Sequence, residues 1–422
     1  MSETSGHIII APDKFKGSLS ALEVAERVAA GLGAAVRTIR LPVADGGDGT
    51  VDAVVACGFS RVEVEVTGPV GEPVKAAYAW HPGWEGQDAP IPTAVVELAE
   101  ASGLRRLPAA HSATAPAARD AVAPSREGAA APAHEGVALA PLTATSRGTG
   151  DLVADAVRRG ARRVVLGLGG SACTDGGTGM MAALGVRFLD ADGVELPPGG
   201  GGLSALATID TSGLIDVTGV EFVVASDVDN PLLGPHGAAA VYGPQKGATP
   251  QDVRVLEAGL ARLAAVAAHT HGVLGAAEHD GVVRQMGVAG HPGAGAAGGV
   301  GFAALAFLAA EVRPGIEYLL DLLGFAAHLP GARLVVTGEG ALDEQTLRGK
   351  APAGVAAAAA AAGVPVVAVC GRRALGDDAL HAAGIRAAYA LTDLEPDPAR
   401  CIAQAGPLLQ RLAAEKLAAW LT

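Results

Sequence analysis

Short apolar runs at both ends of this chain each lead into a polar, glycine-rich loop and then into a helical repeat, and that order leaves few folds open. His7 to Ala11 is an isoleucine run that fits a buried strand. The loop Pro12–Ser18 follows, and then Ser20 and Glu23 stand at capping-box spacing. Val24, Val28 and Leu32 recur every four residues on one helical face, which Gly31 and Gly33 end. Val36 to Val43 reads as the next strand. At the far end, Leu334–Thr337, Val366–Cys370 and Ala387–Leu391 read as strands, Ala353–Ala362 as a helix, and Arg400–Leu421 as a closing helix. Such alternation predicts a parallel, doubly wound sheet.

The middle is patterned differently. Arg61 to Thr67 alternates valine with charged residues, as a half-exposed strand does, and Val74–Trp80 and Thr93–Leu98 read as further strands. Regular patterning resumes with a helix near Gly150–Arg159, a strand Val164–Leu168 and a strand Glu221–Ala225. Two chain ends of one style around a middle of another predict a discontinuous doubly wound domain, 1–62 with 300–422. An inserted second α/β domain would cover 63–299. Residues 107–140, dominated by Ala and Pro, read as a surface insertion without catalytic machinery.

Composition excludes several classes of function. The formal net charge is −13 and no Lys/Arg-rich stripe stands out, which argues against a nucleic-acid or anionic-membrane partner. Four scattered cysteines show neither C-x-x-C pairing nor zinc spacing and point to a reducing compartment. Met1–His7 lacks the character of a secretory signal, so a cytoplasmic location is expected. Ala351–Cys370 carries no charge but contains Pro352, Gly354, Gly363 and Pro365, so it reads as a buried helix, a turn and a strand instead of a membrane span. A homodimer stays open.

In open α/β sheets ligands gather where strands end at their carboxyl edges, and of six glycine-rich or polar loops here several fall at such ends. Pro12–Ser18 offers Lys16 and Ser18 before a helix N-terminus. Ala44–Thr50 sets Asp45 and Asp48 among three glycines, with Thr50 beside them. Gly167–Gly177 carries Gly169, Gly170, Ser171 and Asp175 after a strand, in the style of anion-cradling loops, although no Walker A motif is present. Ser226–Pro231 places Asp227 and Asp229 at i and i+2, spacing that turns both carboxylates the same way on an extended chain, and Gln245 and Lys246 lie beyond it. Gly293–Gly298 matches G-x-G-x-x-G by letter, but His291-Pro292 precedes it and no strand is expected there, so it reads as the entry to an apolar helix. Thr337–Lys350 packs Glu339, Asp343, Gln345, Thr346 and Lys350 into one span.

Together these loops resemble the bacterial class I glycerate kinases. The matching pieces are Ala11-Pro12-Asp13 with Phe15–Ser18, the Ala44–Thr50 loop, Gly169-Gly170-Ser171 with Asp175-Gly176-Gly177, Ser226–Pro231, Gly243–Ala248, and Gly338-Glu339-Gly340 with Asp343, Gln345-Thr346 and Gly349-Lys350. They occur in the family's order and span almost the whole chain. Lys14 stands where the family more often has Ser, and Asp48 where it often has Glu. The resemblance implies ATP and magnesium (Mg2+), D-glycerate as acceptor and 2-phosphoglycerate as the usual product. It also implies a flavodoxin-like (Rossmann-like) domain built from both chain ends, an inserted α/β domain, and an active site in the cleft between them.

Phosphoryl transfer asks a protein for alignment, charge neutralisation and a base. On this reading Lys16, Lys246 and Lys350 supply positive charge, and Ser171 with neighbouring glycine amides holds phosphate. Asp227 and Asp229 sit by magnesium, Asp45 is the first choice of base and Asp343 the second. The rivals are a kinase of another small hydroxy acid, a non-catalytic sugar-acid sensor and, third, a nicotinamide dehydrogenase.

Overall fold

The computed structural model describes residues 6–84, 90–109, 138–271, 277–279, 282–284 and 287–420. Most of the Ala/Pro-rich stretch 107–140 lies outside the described residues. The strands are β1 (His7–Pro12), β2 (Thr38–Arg40), β3 (Ser60–Thr67), β4 (Pro73–His81), β5 (Thr93–Glu97), β6 (Arg163–Gly167), β7 (Arg187–Leu189) and β8 (Thr208–Asp210). They continue with β9 (Glu221–Ala225), β10 (Ala277–His279), β11 (Val282–Arg284), β12 (Glu311–Arg313), β13 (Ala332–Leu342), β14 (Val366–Arg373) and β15 (Ile385–Ala390).

Two sheets organise the chain. The first has the order β15-β14-β13-β1-β2 and is parallel throughout. Numbered along the chain within that sheet, this is the flavodoxin-like order 2-1-3-4-5, whose topological switch point falls between its first and third strands. Here those are β1 and β13, paired Pro12 to Gly338 at their carboxyl ends. The second sheet has the order β12-β9-β6-β5-β4-β3, parallel from β12 to β5 and antiparallel from β5 to β3.

The isoleucine run explains the layering. Ile8 and Ile10 pack with Val24, Val28 and Leu409 under the helices Ala21–Leu32 and Ala405–Leu412. Ile9 turns the other way, into a core that also holds Val95, Val165 and Val223 of the second sheet. Helices Thr50–Ala56, Gly315–Leu322 and Ala351–Ala361 contribute to that shared core, so the two sheets are joined through one apolar layer. A third core lies on the far face of the second sheet.

Most expected elements appear, with shifted ends. Ala351–Cys370 resolves into the helix Ala351–Ala361 and the strand β14, as its Gly and Pro residues require. The closing helix expected over Arg400–Leu421 is interrupted: Pro398–Ala403 and Ala405–Leu412 are separate helices. Pro407 has no N–H to continue a preceding helix and sits instead in the first turn of the next. Strand β12, beyond position 300, belongs to the second sheet, and so does β3 from Ser60. We propose two domains, with the chain crossing between them near Phe59 and Pro314. Among the described residues no helix is long and apolar enough to cross a membrane.

Candidate active site

The carboxyl ends of the two sheets meet over a cleft of about 540 Å³, lined from both sides. It sits at the switch point between β1 and β13, where loop Asp13–Ser18 leaves β1 and residues Glu339–Asp343 end β13. Asp45 and Asp48 enter from the loop after β2, and Gly169 and Gly170 from the loop after β6. Of the expected site residues, Lys16, Ser18, Asp45, Asp48, Gly169, Gly170, Glu339, Asp343 and Lys350 all line this one crevice.

The glycines of the two loops serve a purpose the sequence reading did not give them. A Cβ on Gly167 would lie 2.6 Å from the Gly46 carbonyl oxygen, and one on Gly169 would lie 2.5 Å from Gly47 Cα. The backbones of the loops after β2 and β6 therefore touch, and only residues without side chains allow it. Gly169 N donates to Gly46 O at 3.4 Å across the same contact. This seam sets Asp45 and Asp48 against the second sheet.

Three carboxyls sit close together at the cleft floor. Asp13 is mostly buried, and desolvation pushes it up to about 7, against the opposing pull of Lys14, with Asp45 and Glu339 adding to the rise. Glu339 is also raised, again chiefly by burial, while Thr346 and Lys350 hold it down. Thr346 Oγ1 donates to Glu339 Oε1 at 2.5 Å, and Lys350 Nζ lies 3.4 Å from Oε2. Asp227 lies outside the cleft lining, and its Oδ1 accepts from the Gly315 amide at 3.0 Å. Burial lifts it to about 6, with Asp45 and Glu317 contributing. Clustered, partly desolvated oxygen donors of this kind fit a hard divalent cation, which magnesium sites complete with phosphate oxygens and water. Among the described residues no three His, Cys, Asp or Glu groups are arranged to hold a metal alone. Asp229 has a different neighbour from Asp227: its charge acts on Tyr242.

Several expected ligands lie outside the cleft lining. Thr50 is buried and its Oγ1 donates to Gly47 O at 2.6 Å, closing the turn of its own loop. Thr346 acts through Glu339, as above, and Gln345 is exposed, with its backbone N–H donating to Asp343 Oδ1 at 2.9 Å. Ser171 is buried behind Gly170. Asp175 is fully buried and accepts from Ser146 N and Oγ at 2.8 Å each, Gly177 N at 3.0 Å and Gly179 N at 3.2 Å. Lys246 is 2% exposed and donates to the Cys173 carbonyl, while burial lowers its pKa. Gln245 beside it is exposed. Through these internal partners Asp175 and Lys246 brace the turn that follows β6.

Four polar residues escaped the sequence reading as site candidates. Asp13 and Lys14 were legible as part of a loop at a strand end; Lys14 Nζ donates to the Asp48 carbonyl. Glu97, at the end of β5, and Arg105, after the next helix, carried no local signal. Arg105 pairs with Asp48, with Glu97 at 3.1 Å and with Glu100 at 2.6 Å.

The chain matches the Glycerate kinase family over residues 8–121 and 127–422. It is 43% identical over 391 residues to the glycerate kinase of Bacillus subtilis (strain 168), covering 91% of this chain and 90% of that protein. It is 40% identical over 392 residues to the glycerate 2-kinase of Escherichia coli (strain K12), with 91% and 90% covered. A solved protein of Salmonella typhimurium LT2, described as a glycerate kinase 2, superposes with a TM-score of 0.76 at 38% identity, covering 99% of this chain and 98% of that one.

Proposed function

The chain belongs to the glycerate kinase family, and on that premise we propose that its cleft transfers the terminal phosphoryl group of ATP to a hydroxyl of D-glycerate, giving 2-phosphoglycerate. The single observation that carries this reading is the convergence of five sequence-distant loops, from both sheets, on one crevice at the switch point. A binding module needs no such gathering of acids and cations; phosphoryl transfer does.

Lys16 and Lys350 face the cleft and offset the charge of the transferring phosphoryl group. Glu339 holds Lys350 in place, and Thr346 holds Glu339. Asp45 takes the proton from the attacking hydroxyl, with Asp343 the second choice. The seam with Gly167 and Gly169 fixes Asp45, and close placement of reacting groups is where much of such a rate comes from. Asp13 and Asp227, both coupled to Asp45, are the carboxylates that would hold magnesium, which when bound neutralises phosphate charge. Asp229 is replaced by Asp13 in this role because its neighbours lie elsewhere. The four cysteines are free, which fits a reducing compartment, and we place the enzyme in the cytoplasm.

The experiment is a coupled ADP-release assay over a panel of small hydroxy acids. Turnover with D-glycerate well above the others supports the reading, and turnover with another acid alone replaces the substrate.

A further inference from the structure

The cleft is polar at one end and apolar at the other, and the two ends follow the strand order. Asp13, Asp45, Asp48, Glu339 and Asp343 gather at the carboxyl ends of β1, β2 and β13. Beyond β14 the wall changes character. There the described lining residues include Leu391, Pro398, Cys401 and Ile402, with no carboxylate among them. Ile402 is 56% exposed, and Leu391 is almost wholly buried. Arg372, at the end of β14, stands between the two ends, and among the described residues its guanidinium has neither an ion pair nor a hydrogen bond.

We propose that this apolar end is the subsite for the base of the nucleotide, so that ATP lies across the strand ends with its base on Ile402 and Pro398 and its terminal phosphate over β1. The inference rests on the kinase reading above and adds a direction to it. D-glycerate bears oxygen on every carbon and has no surface that an apolar wall would take from water. An adenine ring presents a flat, weakly hydrated face that gains from such contact. The span agrees. Neighbouring strands are about 4.8 Å apart, so three spacings from β1 to β15 make about 14 Å, comparable to an extended nucleoside triphosphate. Arg372 then faces the stretch where phosphate gives way to ribose, and the acceptor is left the acid-rich end beside Asp45 and Gly169.

The test compares ATP with inorganic tripolyphosphate by calorimetry, on the wild type and on Ile402→Gln. The side chain is over half exposed, so the variant should keep its fold, which circular dichroism verifies. ATP should bind the wild type at least tenfold tighter than tripolyphosphate. Ile402→Gln should shrink that advantage about fivefold or more, leaving tripolyphosphate affinity and the KM for D-glycerate within twofold. An undiminished advantage in the variant overturns the subsite while leaving the kinase reading intact. If the wild type binds neither compound, the kinase reading fails and the subsite with it.

Discussion

Glu97, the last residue of β5, accepts hydrogen bonds from the Gly49 and Val51 amides at 3.1 and 3.2 Å, although those residues belong to the loop and helix that follow β2 in the other sheet. Its second oxygen takes Arg105 at 3.1 Å. One buried carboxyl thus fastens the Asp45–Thr50 loop to the second sheet, beside the glycine seam.

That placement has a pH signature. Burial pushes Glu97 up to about 7, against its two amide donors. The folded chain then keeps a proton that the unfolded chain releases above its ordinary value of 4.5. The contribution to stability is therefore complete below that value and is lost as pH rises through 7. Glu97→Gln cannot titrate. Denaturant unfolding of both proteins at pH 5 and pH 8 should show the wild type losing roughly 2–3 kcal/mol relative to the variant across that interval. Parallel stability curves would contradict the assignment.

Much of this was legible in the sequence because the informative residues act locally. The capping box at Ser20 and Glu23 forms as spaced, with Glu23 N donating to Ser20 Oγ at 3.3 Å and Ser20 N to Glu23 at 2.8 Å. The isoleucine run had to be a buried strand, and Gly and Pro had to divide Ala351–Cys370. What stayed hidden depends on contacts far apart in the chain. Nothing around Gly47 announces that Gly169 will lie against it, so the backbone seam that these glycines form could not be read locally. Asp175 and Lys246 carry the residue types of a ligand site, but burial, which no local pattern reveals, gives them internal partners.

The distinction between bracing and binding is testable at Asp175. Asp175→Ala strands three buried donors on Ser146 and Gly177 and a half-buried one on Gly179. Leaving such groups unsatisfied costs about 1–3 kcal/mol each, so the variant should lose at least about 3 kcal/mol in denaturant unfolding. Its folded fraction should keep the KM for ATP within about threefold. A large rise in that KM with unchanged stability would return Asp175 to the ligand site.

Gly169→Ala probes the seam. The added methyl must push away Gly47, two residues from Asp45. Overpacking of this kind costs about 1–3 kcal/mol, and displacing a reacting group by about 1 Å can cost roughly a hundredfold in rate. Steady-state kinetics should show kcat reduced more than tenfold. A kcat near that of the wild type would mean the seam does not position Asp45.

Asp45→Asn removes the proposed base while preserving shape. Proton transfer by a positioned side chain is worth about 10²–10⁴-fold, so kcat should fall by about two orders of magnitude or more, with thermal stability close to that of the wild type. Near-normal turnover would shift the role to Asp343, for which Asp343→Asn is the companion variant.

Phosphorus NMR of a reaction containing the enzyme, ATP, magnesium and D-glycerate addresses the transfer itself. The expected spectrum shows ADP and one new phosphate ester split into a doublet by the single hydrogen on carbon 2. A triplet would place the phosphate on carbon 3, and ATP left intact by an enzyme that binds it would contradict phosphoryl transfer to glycerate altogether.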